Sequence, residues 1–341
     1  MRVGLIGYGA WGQQHARAFA AAPSAELAAI ASAGSAASAR RHWPDAAVFE
    51  GWRALLDDPS LEAVVIAVPN ALHAELACAA LAAGKHVLLE KPMALTIADC
   101  DRLIDAAQRS GRVLTIGHEL RGSRQWGRVR GLLSEGAIGE LRHAAISLFR
   151  FPYRSGTGGW RYEGASVGSW ILEEPVHFFD LLLWYGREWG PPVALRALAD
   201  GDAAMPRALL VTLRFAGGQF ATLHTVVAGF EHHLVLQAMG EAGAIRATWS
   251  AAMDRSTAPV AALHVFRGRA GPGEGAEPVP FGESGEVFEL ALQAEAAVQG
   301  FREGRALVPP EEARDAVRCC LLAERSAREG GRETAWNAAL P

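Results

Sequence analysis

Through the first third of the chain, short apolar runs alternate with longer stretches in which an apolar residue recurs every third or fourth position. Residues 3–6, 26–32, 47–49, 63–68, 85–89 and 113–117 read as strands, with helices between them. The run AVVIAV at 63–68 is continuously apolar, so it predicts a strand covered on both faces, as in a parallel sheet. Beyond about residue 120 the order changes. A helix at 125–134, a strand at 140–151 and a helix from Pro175 to about Tyr185 come first, and proline is best tolerated at a first helical position. Residues 207–215, 219–227, 234–239 and 244–249 then follow one another as strands, with Gly217 and Gly218 as a hairpin turn. Residues 268–285 read as a loose hairpin or loop, and helices at 287–302 and 311–329 close the chain. The pattern predicts an α/β protein of two domains. Residues 1–120 would form a doubly wound parallel unit, and residues 121–341 an α+β unit with a large, mostly antiparallel open sheet.

The first strand runs directly into Gly7, Gly9 and Gly12 and then into a helix, in the stretch RVGLIGYGAWG. In that context the spacing is the fingerprint of a Rossmann dinucleotide-binding turn. One glycine permits the turn, one lets backbone approach a pyrophosphate, and one lets helix and strand pack closely. Ala10 and Trp11 open the helix whose N-terminus attracts phosphate charge. Where an acid would grip the ribose of NAD stands Ser32, and Arg40 and Arg41 follow closely. The missing carboxylate tilts the expected cofactor toward NADP, with NAD as the alternative and the arginines read equally well as a solvated helix face. Pro69, Asn70 and His73 follow the fourth strand, and Glu90, Lys91 and Pro92 the fifth, so both turns should border the cofactor. A lysine at the end of a buried strand is costly unless paired or used. Lys91 therefore either bridges to Glu90 or points at the nicotinamide.

Three segments, GLIGYGAWG, VPNALH at 68–73 and GKHVLLEKP at 84–92, together resemble the glucose-fructose oxidoreductase, inositol dehydrogenase and MocA-like (Gfo/Idh/MocA) oxidoreductases. The resemblance extends to GSWILEEPVHFFD at 168–180. It implies NAD(P)-dependent hydride transfer at a carbinol or carbonyl of a sugar, cyclitol or related polyol, with Lys91 as the active-site lysine and His177 and an acid four residues earlier as its partners. That acid is Glu173 here where the family pattern has Asp, and Pro175 stands where glycine is common. His177 falls in a first helical turn, whose positive end disfavours imidazolium. Glu173 would orient His177 or bind a neighbouring hydroxyl. The loop at 152–168 is long for a compact domain and rich in Gly, Arg and aromatic residues, in the manner of a carbohydrate site or a subunit contact. Arg154, Trp160, Arg161 and Tyr162 in it, Arg121 before it and Trp170 after it complete the candidate substrate residues.

Composition narrows the partners further. The formal net charge is −4 with signs interspersed, which leaves no basic face for nucleic acid. No apolar run approaches a membrane span of roughly 18 residues, and no leader pattern precedes the first strand, so a cytoplasmic protein is expected. Cys78, Cys100, Cys319 and Cys320 lack metal spacing and read as reduced, buried thiols; no metal is expected. Adjacent His232 and His233 would point to opposite faces of a strand. One face of the second sheet is free for another subunit, which predicts a homodimer or homotetramer. Two rival readings come with the resemblance: a glycosidase that oxidises its substrate transiently on bound NAD, and a non-catalytic dinucleotide sensor, against which the presence of both Lys91 and His177 argues.

Overall fold

Six parallel strands, in the order β3-β2-β1-β4-β5-β6, build the N-terminal half of this computed structural model. They are β1 (Arg2–Ile6), β2 (Glu26–Ala31), β3 (Ala47–Phe49), β4 (Ala63–Ile66), β5 (His86–Glu90) and β6 (Leu114–Gly117). The structure describes residues 1–151, 160–227, 231–253, 255–268 and 275–340. Between the strands run α1 (Ala10–Ala21), α2 (Ala36–His42), α3 (Trp52–Leu56), α4 (His73–Ala82) and α5 (Ile97–Ser110). β1 lies between β2 and β4, with Leu5 opposite both Ile30 and Val65. The strand order reverses at β1 and β4, so the loops after them diverge and leave a crevice, the usual ligand position of such sheets. Helix α5 starts where its sequence says it should, with the Thr96 hydroxyl accepting the Asp99 amide at 3.1 Å.

The second sheet has nine strands in the order β14-β13-β12-β11-β7-β10-β9-β8-β15. These are β7 (Leu141–Phe149), β8 (Pro192–Gly201), β9 (Pro206–Phe215), β10 (Phe220–Val226), β11 (His232–Gly240), β12 (Gly243–Ala251), β13 (Val260–Arg267), β14 (Glu277–Pro278) and β15 (Thr334–Ala335). β7 and β10 pair in parallel and the other neighbours are antiparallel. β8 and β13 are strands that the sequence pattern does not single out. β14 adds a short edge to β13 inside the expected 268–285 loop, of which residues 269–274 lie outside the described residues.

One face of this sheet is covered by α6 (Arg124–Ser134), α9 (Pro175–Tyr185) and α11 (Pro310–Arg328). On the strands, Leu198, Leu210, Phe220 and Met239 are 43–53% exposed. Leu198 stands opposite Leu210, and His143 lies between Phe220 and Met239 in the register, so these side chains form cross-strand pairs on the uncovered face.

The two sheets take successive parts of the chain, but the packing does not separate them. Helix α10 (Glu286–Glu303) returns to the first domain, where Leu290, Ala294, Val298 and Phe301 join Val3, Leu5, Phe19 and Val65 in one buried cluster. Each of the Val, Leu and Phe side chains among them contributes about 1.5–3 kcal/mol on burial. Val308 then bonds β6, its carbonyl accepting the Ile116 amide at 3.2 Å. Among the described residues no helix is long and apolar enough to cross a membrane, and no cluster of His, Cys, Asp and Glu is arranged to hold a metal ion.

Candidate active site

A cleft of about 580 Å³ opens beyond the carboxyl ends of β1, β2 and β5 and reaches across to α9. Its floor is the glycine turn. Gly7 has φ +100°, and a Cβ there would stand 2.2 Å from the Ala67 carbonyl oxygen; at Gly12 it would stand 2.0 Å from the Gly7 carbonyl oxygen. Those two glycines let α1 sit on β1. Among the described residues nothing lies within 4 Å of a Cβ placed on Gly9, which caps α1 through backbone alone. The amides of Ala10 and Trp11 begin the helix and have no acceptor within it. Open space above a bare helix start suits a pyrophosphate, so the residues present fit a dinucleotide. Ser32, Ala33, Ser35, Glu50 and Trp52 line the far end of the same cleft, where the adenosine ribose would lie.

At the other end stand Lys91 and His177. Lys91 directly follows β5, and its ammonium donates to the Glu173 backbone carbonyl at 2.6 Å while lying 3.7 Å from Glu173 Oε1. Glu173 comes from α8 (Trp170–Glu173), and both of its carboxylate oxygens are engaged. Arg161 Nε donates to Oε1 at 2.8 Å, and the Asn70 amide donates to Oε2 at 3.0 Å. Burial works against the Lys91 ammonium, but Glu173, then Glu174 and Glu90, outweigh it and raise its proton affinity above that of an ordinary lysine. Lys91 is a fixed cation facing the cleft.

His177 lies in the first turn of α9 behind Pro175, as its sequence predicts. Its Nδ1 lies 3.7 Å from Glu119 Oε2, and its ring meets that of His118 edge-on at 5.9 Å. Burial first, then Lys91 and His118, push the imidazole well below the ordinary histidine range. The neutral ring expected from the helix terminus is present, but desolvation and a neighbouring ammonium are its main causes. Next to it, Glu174 pairs with Arg150 at 2.7 Å. Burial alone would raise the Glu174 carboxyl; Arg150, with His232 and Lys91, brings it far below the usual carboxylate range.

Several sequence candidates stand elsewhere. Arg121 forms a buried fork to Asp180, with Nε to Oδ2 at 2.8 Å and Nη2 to Oδ1 at 2.7 Å, a further bond to Glu312, and Trp184 under its guanidinium. Two carboxylates take up its donors, and it does not line the cleft. Trp170 is 3% exposed and belongs to the core. His73 is fully buried between the Pro92 and Val68 carbonyls, at 2.7 and 3.1 Å, and braces the Lys91–Pro92 turn from behind rather than meeting a cofactor. Arg40 turns to the Val48 carbonyl at 3.4 Å and to Glu50 at 4.0 Å, outside the lining. Glu173 meets Lys91, Asn70 and Arg161 and not the His177 ring. Trp160 and Arg161 line the cleft, the guanidinium 4.6 Å from the indole centroid. Arg154 and the Tyr162 side chain lie outside the described residues.

The cleft also contains residues that sequence reasoning passed over. Glu119, Glu174, Glu286 and Arg255 line it, with the Arg255 guanidinium 5.1 Å from the Trp11 ring. His15 of α1 meets Glu90 Oε1 at 2.6 Å with both side chains buried, linking the glycine turn to the strand that carries Lys91. A histidine one helical turn past Gly12, on the buried face, was the available signal. His232 is buried behind His177, and His233 faces the other way, to Ser250.

Comparison with known proteins gives the site a lineage. The family model for the oxidoreductase family with an NAD-binding Rossmann fold matches residues 1–118, and that for the Gfo/Idh/MocA C-terminal domain matches residues 126–246. The chain is 34% identical over 189 residues to a 1,5-anhydro-D-fructose reductase of Ensifer adhaerens, covering 52% of this chain and 56% of that protein. It is 32% identical over 199 residues to a levoglucosan dehydrogenase of Pseudarthrobacter phenanthrenivorans, covering 53% and 50%. It thus spans about half the length of the curated relatives it matches. A levoglucosan dehydrogenase solved with NADH and levoglucosan superposes with a TM-score of 0.82 over 99% of this chain and 100% of that one at 24% identity, a likeness of fold. With both halves of the family present in order around one cleft, the chain belongs to the Gfo/Idh/MocA family of oxidoreductases.

Proposed function

We propose that this protein is an NAD(P)-dependent dehydrogenase or reductase that moves hydride between a nicotinamide cofactor and a carbinol or carbonyl carbon of a sugar, cyclitol or related polyol. The observation that carries the reading is that Lys91 and His177, brought by two different domains, line the end of the same cleft whose other end is the glycine turn. A bound nicotinamide supplies the hydride acceptor or donor. The rest is done by the chain. Lys91, held by Glu173, donates to the reacting oxygen and stabilises alkoxide character, an effect typically worth about 2.7–4 kcal/mol for one well-placed donor. His177 exchanges a proton with the same oxygen, and its neutral ring suits that exchange near pH 7. Glu173 acts through Lys91. Trp160 and Arg161 offer an aromatic face and a hydrogen-bonding fork to a polyhydroxylated ring.

Relatives support this substrate class: the two curated matches carry names of a sugar-derivative reductase and a levoglucosan dehydrogenase. Ser32 in the ribose position favours the phosphorylated dinucleotide, while Glu50 brings a carboxylate to the same end of the cleft and holds Arg40 near it. The uncovered sheet face, with Leu198, Leu210, Phe220 and Met239, suits a second copy of the chain in a homodimer or homotetramer. Four free thiols fit the reducing cytoplasm.

The test is a panel of sugars, anhydrosugars and cyclitols run with NAD and with NADP while reduced-cofactor absorbance is followed. Turnover with at least one polyol is expected, and Glu50→Gln should move the ratio of kcat/KM values toward NADP. Glycoside cleavage with no net absorbance change would replace this reading with transient oxidation and elimination.

A further inference from the structure

Glu119 stands just past the carboxyl end of β6, in a short turn spanning Glu119–Gly122, and it is 3% exposed. Its Oε2 and the Nδ1 of His177 lie 3.7 Å apart. Both atoms are sealed from solvent, and neither has a hydrogen-bond partner among the described residues. The other carboxyls nearby are engaged: Glu90 by His15, Glu173 by Arg161 and Asn70, Glu174 by Arg150. Unmet buried polar atoms are costly, and a contact between these two would satisfy both. A side-chain rotation of a few tenths of an ångström per atom would bring them into contact.

We propose that Glu119 is the positioning residue of His177: its carboxyl occupies Nδ1, dedicates Nε2 to the substrate oxygen, and is the store from which the ring regains the proton it gives up. The last two clauses rest on the oxidoreductase reading; the first does not. The acid four residues before His177 does not serve here, because Glu173 is committed to Lys91, Asn70 and Arg161.

The groups that face the pair come from every element around it: His118 beside Glu119, Glu90 and Lys91 at the end of β5, Arg150 after β7, Glu174 before α9, Glu286 and Glu289 on α10 and His232 on β11. Burial, then Glu90 and Glu286, hold the Glu119 carboxyl well above the ordinary range. The resting pair is then a carboxylic acid and a neutral imidazole. The acid O–H points to Nδ1, and the ring proton sits on Nε2. In the reductive direction the Nε2–H bond breaks as the substrate oxygen gains its proton, while the Glu119 O–H bond breaks as Nδ1–H forms. The ring stays neutral with its other nitrogen protonated, Glu119 is left as carboxylate, and the electron pair travels separately as hydride between nicotinamide and substrate carbon. Oxidation runs the same bonds in reverse and requires Glu119 ionised at the start.

Nitrogen-15 NMR of the full-length, histidine-labelled protein without cofactor tests the geometry, with the His177 signals assigned by their loss in His177→Gln. At pH 7 the wild type should show His177 with its proton on Nε2. Its Nδ1 signal should be that of a hydrogen-bonded acceptor. Glu119→Gln, whose amide still donates to Nδ1, should keep that signal; Glu119→Leu should move it to the position of an acceptor nitrogen without a hydrogen bond. An unchanged Nδ1 signal in Glu119→Leu, or an Nδ1 proton in the wild type, overturns the proposal whatever the substrate proves to be. With a working substrate, oxidative kcat of the wild type should rise with pH through the titration of Glu119. Glu119→Gln should remove that rise and lower kcat by about 10²-fold with little change in KM. A rise that survives the Gln substitution overturns the relay.

Discussion

Two carboxyl groups that line the same cleft lead opposite lives. Glu174 is buried and yet ionises more readily than a carboxyl in water, because Arg150 stands 2.7 Å away with His232 and Lys91 behind it. Glu119 is equally buried, but its nearest charged neighbours include Glu90 and Glu286, and it holds its proton well into the range where carboxyls are normally bare. Desolvation is common to both and does not separate them; the sign of the surrounding charge does. The same contrast divides the reacting groups. Lys91, ringed by carboxyls, is a firm cation, whereas His177, with that cation on one side and His118 on the other, is firmly neutral. One cleft thus presents a fixed positive charge and a neutral proton carrier at the same end, which is what hydride transfer to or from an oxygen-bearing carbon asks of a protein.

Breaking the charged half should have the largest effect. Lys91→Met removes the only lysine in the lining and should lower kcat by about 10²–10³-fold, the usual loss for one preorganised donor, while leaving dinucleotide affinity within a few-fold. Near wild-type turnover in that variant would end the role given to Lys91. Glu173→Gln is milder. It keeps the backbone carbonyl that Lys91 bonds and removes the largest support for its ammonium, so burial begins to prevail. The expected loss is about 10-fold at pH 7 and grows with pH, because the ammonium now deprotonates at lower pH than in the wild type. A loss independent of pH would point instead to the bonds from Asn70 and Arg161.

How much of this could be read from the chain follows from whether a signal is local. The glycine turn, the strand ending at Lys91 and the Pro175 helix start are each encoded within a dozen residues, and they locate the two ends of the cleft. The Thr96 cap is of the same kind. Partners across the fold are not. Arg121, Asp180 and Glu312 lie far apart in sequence, so nothing near Arg121 announces that its fork is already taken. Likewise Glu173 carries the right spacing to His177, yet its carboxylate turns to Lys91 and Arg161, while Glu119, 58 residues away from His177 in sequence, faces the ring. β8 and β13 escape notice because their apolar residues point partly to the uncovered face, as with Leu198 and Val260, and the inside-outside alternation is blurred.

The smallest effect is also the sharpest form of the comparison, since it sets the two carboxyls against each other in stability alone. In the folded chain Glu119 keeps its proton above the ordinary value of 4.5, so the folded form binds more protons than the unfolded one as pH rises from there through its folded titration. Stability falls across that interval, and above it the wild type carries an ionised carboxylate buried beside Glu90 and Glu286. Glu119→Gln escapes this cost, so its Tm relative to wild type should be near zero at pH 4 and climb as pH is raised to 8. Glu174 gives the reverse slope. Its folded titration lies below the unfolded one, so its ion pair with Arg150 stabilises fully above the ordinary carboxyl range and is lost as pH falls. Glu174→Gln should therefore be destabilised by a constant amount above the ordinary carboxyl range and converge on wild type only as pH falls below it. Scanning calorimetry of the two variants from about pH 3 to pH 8 should show the Glu119→Gln difference growing above the ordinary carboxyl range and the Glu174→Gln difference shrinking below it. Parallel lines would mean that burial, and not the neighbouring charges, governs both groups.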